Sequence, residues 1–305
     1  MLKIINKFPL SKITTLAIGG PAKAFIIVKT EDELIEAVSY AKKKELEYSV
    51  IGEGSNLLVA DIGVEKLVIK NEMVGITKIG SELTIKSGTI LQDLVNFANQ
   101  NGLAGLEKMT GIPGTVGGAV YGNAGAYGQT ISDYIVEVKS LTGIQLKNNC
   151  HFDYRYSIFK QNHSPILEIK FSLKPADSKE LKKIANETIS ARLEKYPPGI
   201  KCPGSFFKNI LATTLSKKIL SHIPDEKIPY GKVSVGYLLE EVGAKGDHLG
   251  EIEITSYHAN LFINKGSGTA KDFYNLANKY FLKVRREFGI DLEPEVQLIN
   301  LPPFE

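Results

Sequence analysis

The sequence predicts an α+β fold in two domains. Its 305 residues exceed the length of one ordinary domain, and 43% hydrophobic with 23% charged residues is the composition of a globular protein with a substantial core. Strand patterns dominate up to about residue 175, and helix and strand patterns mix beyond it. Because Tyr196-Pro197-Pro198-Gly199 is the clearest linker pattern, we place a domain boundary near 175–200. We assign domains to residues 1–178 (subdomains 1–70 and 71–178) and 179–305.

The first domain alternates between strand and helix signals. A capping box from Thr30 to Glu33 begins a helix whose apolar residues recur at helical spacing. A second helix follows Thr89, which we expect to cap it, and ends at Asn101-Gly102. Strands are expected at 25–28, 48–51, 67–70, 83–86, 135–141 and 166–173.

The second domain mixes the two kinds of element. A polar helix at about 178–195 leads into the linker, and a helix near 235–242 ends at Gly243. Thr269 is expected to cap a long helix with an apolar inner face. Residues 258–264 and the tail at 292–296 have strand character.

Composition and charge narrow the class of function. The net charge is only +3 and the one dense basic run, Lys42–Lys44, lies at a helix end, so we expect a small anionic ligand rather than nucleic acid. No run of roughly 18 apolar residues occurs, so we expect no membrane insertion and a cytoplasmic protein. Cys150 and Cys202 are expected to remain reduced, and no histidine stands at metal-ligand spacing, so no metal is expected.

The densest signal is a glycine run. Seven glycines fall within the 18 residues 111–128, with no charged residue among them. Glycine loses more backbone entropy on folding than other residues, so this density predicts a bare backbone that approaches an anionic or planar ligand closely. A flexible linker would be rich in serine and charge instead. A second loop, Gly52–Asn56, follows a strand and reads either as a phosphate cradle or as a plain turn, since it lacks the dinucleotide fingerprint.

Three polar segments fit poorly with simple packing. In the first, Arg155 stands between Tyr154 and Tyr156 and could bind a carboxylate, or it could pair with Asp153 on a solvated strand.

In the second segment Ser205 follows Pro-Gly on a tight turn, with Lys208 and Asn209 able to meet phosphate oxygens. The alternative is an ordinary loop entering a strand. In the third, Glu293 and Glu295 flank a proline that fixes their directions, or they form an exposed edge.

Together these segments resemble the UDP-N-acetylenolpyruvoylglucosamine reductase family, flavoenzymes of bacterial peptidoglycan precursor synthesis. The similar segments follow the family's order over nearly the whole chain: 13–22, 51–61, 111–126, 154–160, 204–209, 258–264 and 292–296. The resemblance implies an FAD-binding domain of the vanillyl-alcohol-oxidase (PCMH) type, at about 15–178. An α+β substrate-binding domain follows, and its last strand returns to the active site. It implies noncovalent FAD, because no histidine lies in the glycine loops, and the compact subclass without an inserted tyrosine loop.

The resemblance also implies residue roles. Arg155, Ser205 and Glu295 would be catalytic, and Glu293 would not. Substrate contacts would come from Tyr154, Asn209 and Lys245, with Lys195 and Tyr196 as weaker candidates. The FAD-binding residues would be Gly52, Glu53, Gly54, Ser55, Asn56, Leu57, Gly111, Ile112, Pro113, Gly114, Gly117, Gly118, Ala119, Asn123, Gly125 and Ala126.

The implied reaction uses NADPH to reduce the flavin, which then reduces UDP-N-acetylglucosamine enolpyruvate. Arg155 and Glu295 would stabilise the developing enediolate-like charge, Glu295 only as a neutral acid or through a bridging donor, and Ser205 would protonate the carbon. The chain departs from the family at Cys202-Pro203, where small residues are usual, which leaves that loop's geometry open. A monomer is favoured. An FAD-dependent oxidase of the same fold and a non-catalytic flavin or UDP-sugar binder are the alternatives.

Overall fold

The computed structural model describes residues 2–304 and separates the chain into two compact units. Unit 1 comprises the residues up to Phe8, Ala22–Glu53 and Glu65–Pro197. Unit 2 comprises Pro9–Pro21, Gly54–Val64 and the chain from Pro198 onwards. The chain therefore alternates between the units before it settles in unit 2. The functional assignment of domains 1–178 and 179–305 stays a prediction, and its outermost residues, Met1 and Glu305, lie outside the described part.

The elements are numbered in chain order within the described residues. The strands are β1 Ile5–Pro9, β2 Pro21–Val28, β3 Tyr48–Ile51, β4 Leu57–Val59, β5 Val64–Asn71, β6 Ile76–Ile79, β7 Glu82–Lys86, β8 Leu103–Ala104, β9 Gly125–Ala126, β10 Gln129–Thr130, β11 Ile135–Ser140, β12 Gly143–Leu146, β13 Ile166–Ser172, β14 Lys174–Pro175, β15 Ile210–Leu211, β16 Lys232–Val233, β17 His248–Leu249, β18 Ile252–Ile254, β19 Phe262–Asn264 and β20 Gln297–Ile299. The α-helices are α1 Glu31–Lys43, α2 Leu91–Gln100, α3 Val116–Gly122, α4 Phe159–Asn162, α5 Ser178–Leu193, α6 Lys217–Leu220, α7 Val235–Glu241 and α8 Ala270–Phe288. Short 3-10 helices cover Leu10–Lys12, Glu107–Met109, Ile131–Tyr134, Lys147–Cys150, Ala212–Thr214, Asp225–Lys227 and Pro229–Gly231.

The first layer of unit 1 is a four-stranded sheet in the order β1-β2-β5-β3, with α1 packed on it through its buried apolar face. Thr30 caps α1 as predicted, since its hydroxyl oxygen accepts a hydrogen bond from the amide of Glu33 at 3.2 Å. The Glu33 carboxylate accepts from the amide of Lys29 at 2.6 Å rather than from Thr30. Only one half of the predicted capping box is therefore confirmed.

The second layer of unit 1 is a five-stranded antiparallel sheet in the order β12-β11-β13-β7-β6. Helices α2 and α3 share its core. The apolar face of α2 is as predicted, but the prediction that Thr89 caps it is wrong. Ile90 is the N-cap, and its hydrocarbon side chain cannot form a capping hydrogen bond. The Thr89 hydroxyl accepts from the amide of Gly75 at 3.1 Å instead.

Helix α5 lies in unit 1, although its sequence position fell within the predicted second domain. The Asp177 carboxylate caps it by accepting from the amides of Lys179 (2.8 Å) and Glu180 (3.0 Å). Its C-terminal half packs toward the glycine-rich segment, where its Ile189 side chain lies against the backbone of Gly111. The last passage of the chain from unit 1 to unit 2 accordingly falls after Pro197.

Unit 2 is built on the three-stranded sheet β17-β18-β19, together with α7 and α8. Thr269 caps α8 as predicted, accepting from the amide of Asp272 at 3.0 Å. The Asp61 carboxylate accepts from the amides of Ala270 (2.8 Å) and Lys271 (3.0 Å), which joins the 54–64 segment to the start of α8. In the described residues no helix is both long enough and apolar enough to cross a membrane.

Two strand predictions in unit 2 are displaced. The expected strand at 258–264 is a strand only from Phe262, because the residues before it form a turn in which the amide of Leu261 donates to the carbonyl of His258 (3.0 Å). The tail strand begins at Gln297 instead of 292, where it pairs in parallel with β4. Pro294 has no amide to donate, and its stretch makes only an isolated pairing with Phe207.

Candidate active site

The glycine-rich segment 111–128 contains a helix, α3, rather than an open loop. The Thr115 hydroxyl oxygen caps it by accepting from the amide of Gly118 at 3.2 Å. The amides of Val116 and Gly117 each donate, at 2.8 Å, to a carbonyl oxygen of the turn at residues 87–89. The first-turn donors of α3 are therefore already used within unit 1, in contrast to the expectation that they would face a ligand.

What α3 offers a ligand is bare surface. Gly118 is exposed, and a Cβ built on it would meet nothing closer than the Thr115 hydroxyl oxygen at 3.4 Å, an ordinary contact. A Cβ on Gly122, one turn later, would meet nothing within 4 Å. Neither glycine has the positive φ that favours glycine, so neither is required by the backbone or by packing within the protein. Their lack of a side chain fits the close approach of another molecule.

The first glycine loop lies directly beside α3. A Cβ on Gly52 would stand 2.4 Å from the hydroxyl oxygen of Thr115, the residue that caps α3. Glu53 pairs with Lys70 at 3.4 Å, and Lys70 also pairs with Glu72 at 3.1 Å. Burial lowers the pKa of Lys70, but the hydrogen bonds and charges of these two carboxylates outweigh burial and raise it above its ordinary value. The two predicted loops therefore meet in unit 1.

The remainder of the first loop, Gly54 to Leu57, belongs to unit 2. The Asn56 side-chain amide donates to the carbonyl of Glu295 at 3.1 Å, and the carbonyl of Asn56 accepts from the amide of Gln297 at 2.9 Å. A predicted cofactor-binding loop is thus hydrogen-bonded to the segment of a predicted catalytic glutamate.

The Ser205 segment is the second neighbour of Glu295 in unit 2. The amide of Glu295 donates to the carbonyl of Phe206 at 2.7 Å, and the amide of Lys208 donates to the carbonyl of Glu293 at 2.8 Å. These bonds make the two motifs antiparallel neighbours, and a Lys208–Glu293 ion pair joins them further. The structure therefore brings the Ser205 and Glu295 segments together through their backbones and gives Glu293, which is predicted not to be catalytic, an ion-pair partner.

Asn260 supports the Ser205 segment and was missed by the sequence reasoning. Its side-chain oxygen accepts from the amide of Phe207 at 2.9 Å, and its side-chain nitrogen donates to the carbonyl of Phe207 at 2.8 Å. Asn260 is 2% exposed, so both bonds are shielded from water. No signal in the sequence around Asn260 indicates a partner 53 residues away.

Arg155 lies in unit 1 on a tight turn rather than a strand. Asp153 and Tyr156 exchange two backbone hydrogen bonds at 3.1 Å, and Arg155 between them has φ 55°. A left-handed non-glycine residue costs on the order of 1–3 kcal/mol, a kind of strain that clusters at functional sites. The guanidinium carbon lies 5.5 Å from the centre of the Tyr154 ring.

Two side chains fix this turn to the C-terminal end of α3. Asn123, the left-handed C-cap of α3, donates from its side-chain nitrogen to the carbonyl of Asp153 at 2.8 Å. The Ser157 hydroxyl donates to the carbonyl of Tyr121 at 2.7 Å. Arg155 is therefore held beside the glycine-rich helix within unit 1.

The predicted substrate residues already have partners in the protein. The Asn209 side-chain oxygen accepts from the amide of Val235 at 3.1 Å, at the start of α7, and Lys245 forms an ion pair with Glu240. Tyr154 lies beneath the guanidinium of Arg155. These contacts orient the three side chains but leave their roles toward a ligand a prediction.

The cysteine beside the Ser205 turn is an inert thiol in this fold. Cys202 and Cys150 are both buried and free. Burial raises the pKa of Cys202, with partial opposition from a hydrogen bond of the Gly204 backbone, and it raises the pKa of Cys150 to about 11. Because the thiolate is the reactive form, neither is suited to nucleophilic or redox chemistry.

Comparison with known families matches both parts of the chain. Residues 22–143 match the family described as an FAD binding domain. Residues 196–299 match the family described as the UDP-N-acetylenolpyruvoylglucosamine reductase C-terminal domain. The predicted fold class, α+β with an FAD-binding domain followed by a separate C-terminal domain, is confirmed.

Individual proteins are similar over nearly the full length. A UDP-N-acetylenolpyruvoylglucosamine reductase of Solibacter usitatus is 39% identical over 304 residues, covering 98% of this chain and 97% of that protein. One from Bacillus pumilus is 33% identical, covering 98% and 94%. The crystal structure of the enzyme from Thermus caldophilus superposes with a TM-score of 0.77 at 31% identity, covering 98% of this chain and 99% of that one.

Proposed function

Because this chain belongs to the UDP-N-acetylenolpyruvoylglucosamine reductase family, we infer that it is the FAD-containing enzyme that reduces UDP-N-acetylglucosamine enolpyruvate to UDP-N-acetylmuramate with NADPH, in peptidoglycan precursor synthesis. The observation that carries the assignment of roles is the pairing in unit 2. There the Ser205 segment and the first glycine loop both hydrogen-bond to the Glu295 segment. A proton donor, a carboxyl group and a cofactor loop share one backbone network.

The residues present fit a flavin. The bare face of α3 at Gly118 and Gly122 suits a planar ring or a sugar-phosphate chain lying against a backbone, and Gly52 brings the other loop to the same helix. We assign flavin binding to Gly52–Leu57 and to residues 111–114, 117–119, 123, 125 and 126 of the glycine-rich segment. Unit 1 supplies most of these residues, in keeping with a flavin-binding role for the first domain.

FAD held by these loops would supply hydride chemistry, with NADPH as the hydride donor and the terminal vinyl carbon of the substrate as the acceptor. Negative charge then spreads from the neighbouring carbon into the substrate carboxylate. The guanidinium of Arg155, oriented by its turn and by the Tyr154 ring, stabilises that charge. Because a bare carboxylate would repel it, Glu295 contributes as a neutral acid or through a bridging donor.

Ser205 donates the proton that completes the reduction. Its hydroxyl needs only to be held close to the carbanionic carbon, because that carbon is a far stronger base than water. The segment is held by the bonds from Glu295 and Asn260, so the position of Ser205 is built into unit 2. Tyr154, Asn209 and Lys245 are assigned to the UDP-sugar. We assign the protein to the cytoplasm. We also assign it a monomeric state, which sedimentation of the purified protein tests.

The test is an anaerobic titration of the Ser205→Ala variant beside the wild type. NADPH should bleach the flavin absorbance of both proteins, and UDP-N-acetylglucosamine enolpyruvate should restore it only in the wild type. Restoration in the variant at the wild-type rate would remove Ser205 from the mechanism. Wild-type absorbance that returns only with oxygen would indicate an oxidase, and a flavin that neither nicotinamide cofactor reduces would indicate a binding protein.

A further inference from the structure

Arginine is rare in this chain, and its positions are informative. Of the 37 basic residues only four are arginines: Arg155, Arg192, Arg285 and Arg286. Arg285 and Arg286 are exposed in the last turn of α8, and Arg155 belongs to the site described above. Arg192, in the last turn of α5, has no role in that site.

Arg192 lies over the start of the glycine-rich segment. A Cβ on Gly111 would stand 3.1 Å from both Cδ and Nε of Arg192, so the side chain lies against that backbone, next to Ile189. Its guanidinium carbon is 5.3 Å from the centre of the Tyr196 ring. The Nε atom is shielded from solvent and has no hydrogen-bond partner among residues 2–304.

The charge of Arg192 is not balanced by an acidic group. Burial lowers the pKa of Arg192, and the groups that oppose this effect are two tyrosines, Tyr196 and Tyr127, with no carboxylate of the described residues among them. A largely buried cation without a counter-ion is costly to a fold. Stacking on Tyr196 alone does not require a guanidinium, so the position suits an anionic ligand, which residues 2–304 do not replace.

The glycine-rich segment lacks a cation of its own. Residues 111–128 contain no charged side chain, and the first-turn amides of α3 already donate to carbonyl or hydroxyl oxygens of the protein. Beside the first loop, Lys70 is engaged by Glu53 and Glu72. An anionic ligand against the start of this segment would therefore be neutralised by Arg192, whose planar fork can donate two parallel hydrogen bonds to phosphate oxygens.

We propose that Arg192 is the counter-ion of the flavin dinucleotide's pyrophosphate, bound beside the start of the glycine-rich segment. The proposal rests on the proposed function, since it takes FAD as the ligand. It assigns binding to a side chain of α5, outside both glycine loops, and gives Tyr196 the role of orienting the guanidinium rather than of contacting substrate.

The test measures FAD affinity by reconstituting flavin-free protein and following fluorescence. Arg192→Gln should weaken FAD binding about 10- to 100-fold, the range for a lost charge-assisted pair. The FAD affinity of Arg192→Lys should lie between those of Arg192→Gln and the wild type. The exposed Arg286→Gln is the matched control and should bind FAD like the wild type. Riboflavin, which lacks phosphate, should bind equally to Arg192→Gln and the wild type.

A second readout separates binding from support of the fold. Flavin-free Arg192→Gln should melt no lower than flavin-free wild type, because the substitution removes an unbalanced buried charge. The proposal would be overturned if Arg192→Gln bound FAD within about threefold of the wild-type affinity, lost only UDP affinity, or failed to fold. In each of these cases flavin reduction by the wild type would remain intact. A wild type that takes up no flavin would overturn the proposed function, and this proposal with it.

Discussion

Replacing Gly118 with alanine should stabilise the flavin-free protein and weaken its binding of FAD. The added Cβ would lie 3.4 Å from the Thr115 hydroxyl oxygen, an ordinary van der Waals contact, and the backbone there is helical. The capping bond from the Gly118 amide is not touched by the substitution. Alanine is favoured over glycine within a helix by about 0.5–1 kcal/mol, so the variant should melt roughly 2 °C higher.

The loss of affinity has the opposite sign because the methyl group occupies the face that we assign to the flavin. Inserting a methyl into a packed contact costs about 1–3 kcal/mol, which corresponds to a roughly 5- to 150-fold weaker Kd for FAD. The assay pairs a thermal melt of flavin-free protein with fluorescence titration by FAD. Stability and affinity should move in opposite directions, which no general damage to the fold would produce.

Gly236, in the first turn of α7, provides the matched control. A Cβ there would also meet only ordinary contacts, the nearest at 3.5 Å from the His258 ring and the Ser234 hydroxyl. Gly236→Ala should gain similar helical stability without changing FAD affinity. If Gly118→Ala is stabilised but binds FAD as tightly as the wild type, the bare face of α3 does not contact the flavin and the reasoning fails.

Three further outcomes follow from the geometry. Glu295→Gln should abolish turnover, whereas Glu293→Gln should retain it. The Glu293 variant should lose less than about 1 kcal/mol of stability, because the Glu293 side chain is 71% exposed. Equal loss of kcat in both variants would contradict the assignment. Asn260→Ala should lower the free energy of unfolding by about 2–4 kcal/mol, measured in urea, because it removes two buried hydrogen bonds; an unchanged urea midpoint would show that the bonds are dispensable. Neither Cys150 nor Cys202 should react with a disulfide reagent at pH 8 in the folded protein. With a pKa of about 11, only about one Cys150 thiol in a thousand is ionised at that pH. Reaction of two thiols before unfolding would disprove their burial.

The elements predicted well from sequence are those whose determinants are local. The helices capped by Thr30 and Thr269 occur where predicted, because a capping residue and the apolar spacing of the same segment specify each one. The strand at 48–51 also occurs where predicted, because its own short run of strand-forming residues specifies it. Thr89 carries the same local signal as Thr30, yet its hydroxyl bonds to Gly75, 14 residues earlier. A distant partner competed with the cap, and the sequence around Thr89 does not reveal it.

The site divides in a similar way. The glycine run predicted a ligand surface, and Gly118 and Gly122 do leave bare backbone there. The use of the amides of Val116 and Gly117 by the turn at 87–89 depends on tertiary packing. Individual roles for Arg155, Ser205 and Glu295 came from the family resemblance, since each motif alone was also compatible with an ordinary turn or edge. Their supports, Asn260 and Asn123, bond to segments 53 and 30 residues away and have no pattern that a sequence reading could recognise.

Because segments of the two units alternate along the sequence, the order of synthesis on the ribosome limits when each unit can fold. Leu16, Ile18 and Leu58 are fully or almost fully buried in the core of unit 2, whose other residues all come from position 206 onwards. Leu16 receives a hydrogen bond from Asn264, 248 residues later, and Thr15 donates one to Cys202, 187 residues later. The N-terminal segments therefore lack their final partners until the chain has been synthesised to Asn264 and beyond. A fragment beginning at Pro198 would expose the surface that these residues cover, so it should not fold stably by itself. The core of unit 2 can therefore form only when the N-terminal segments are part of the same chain.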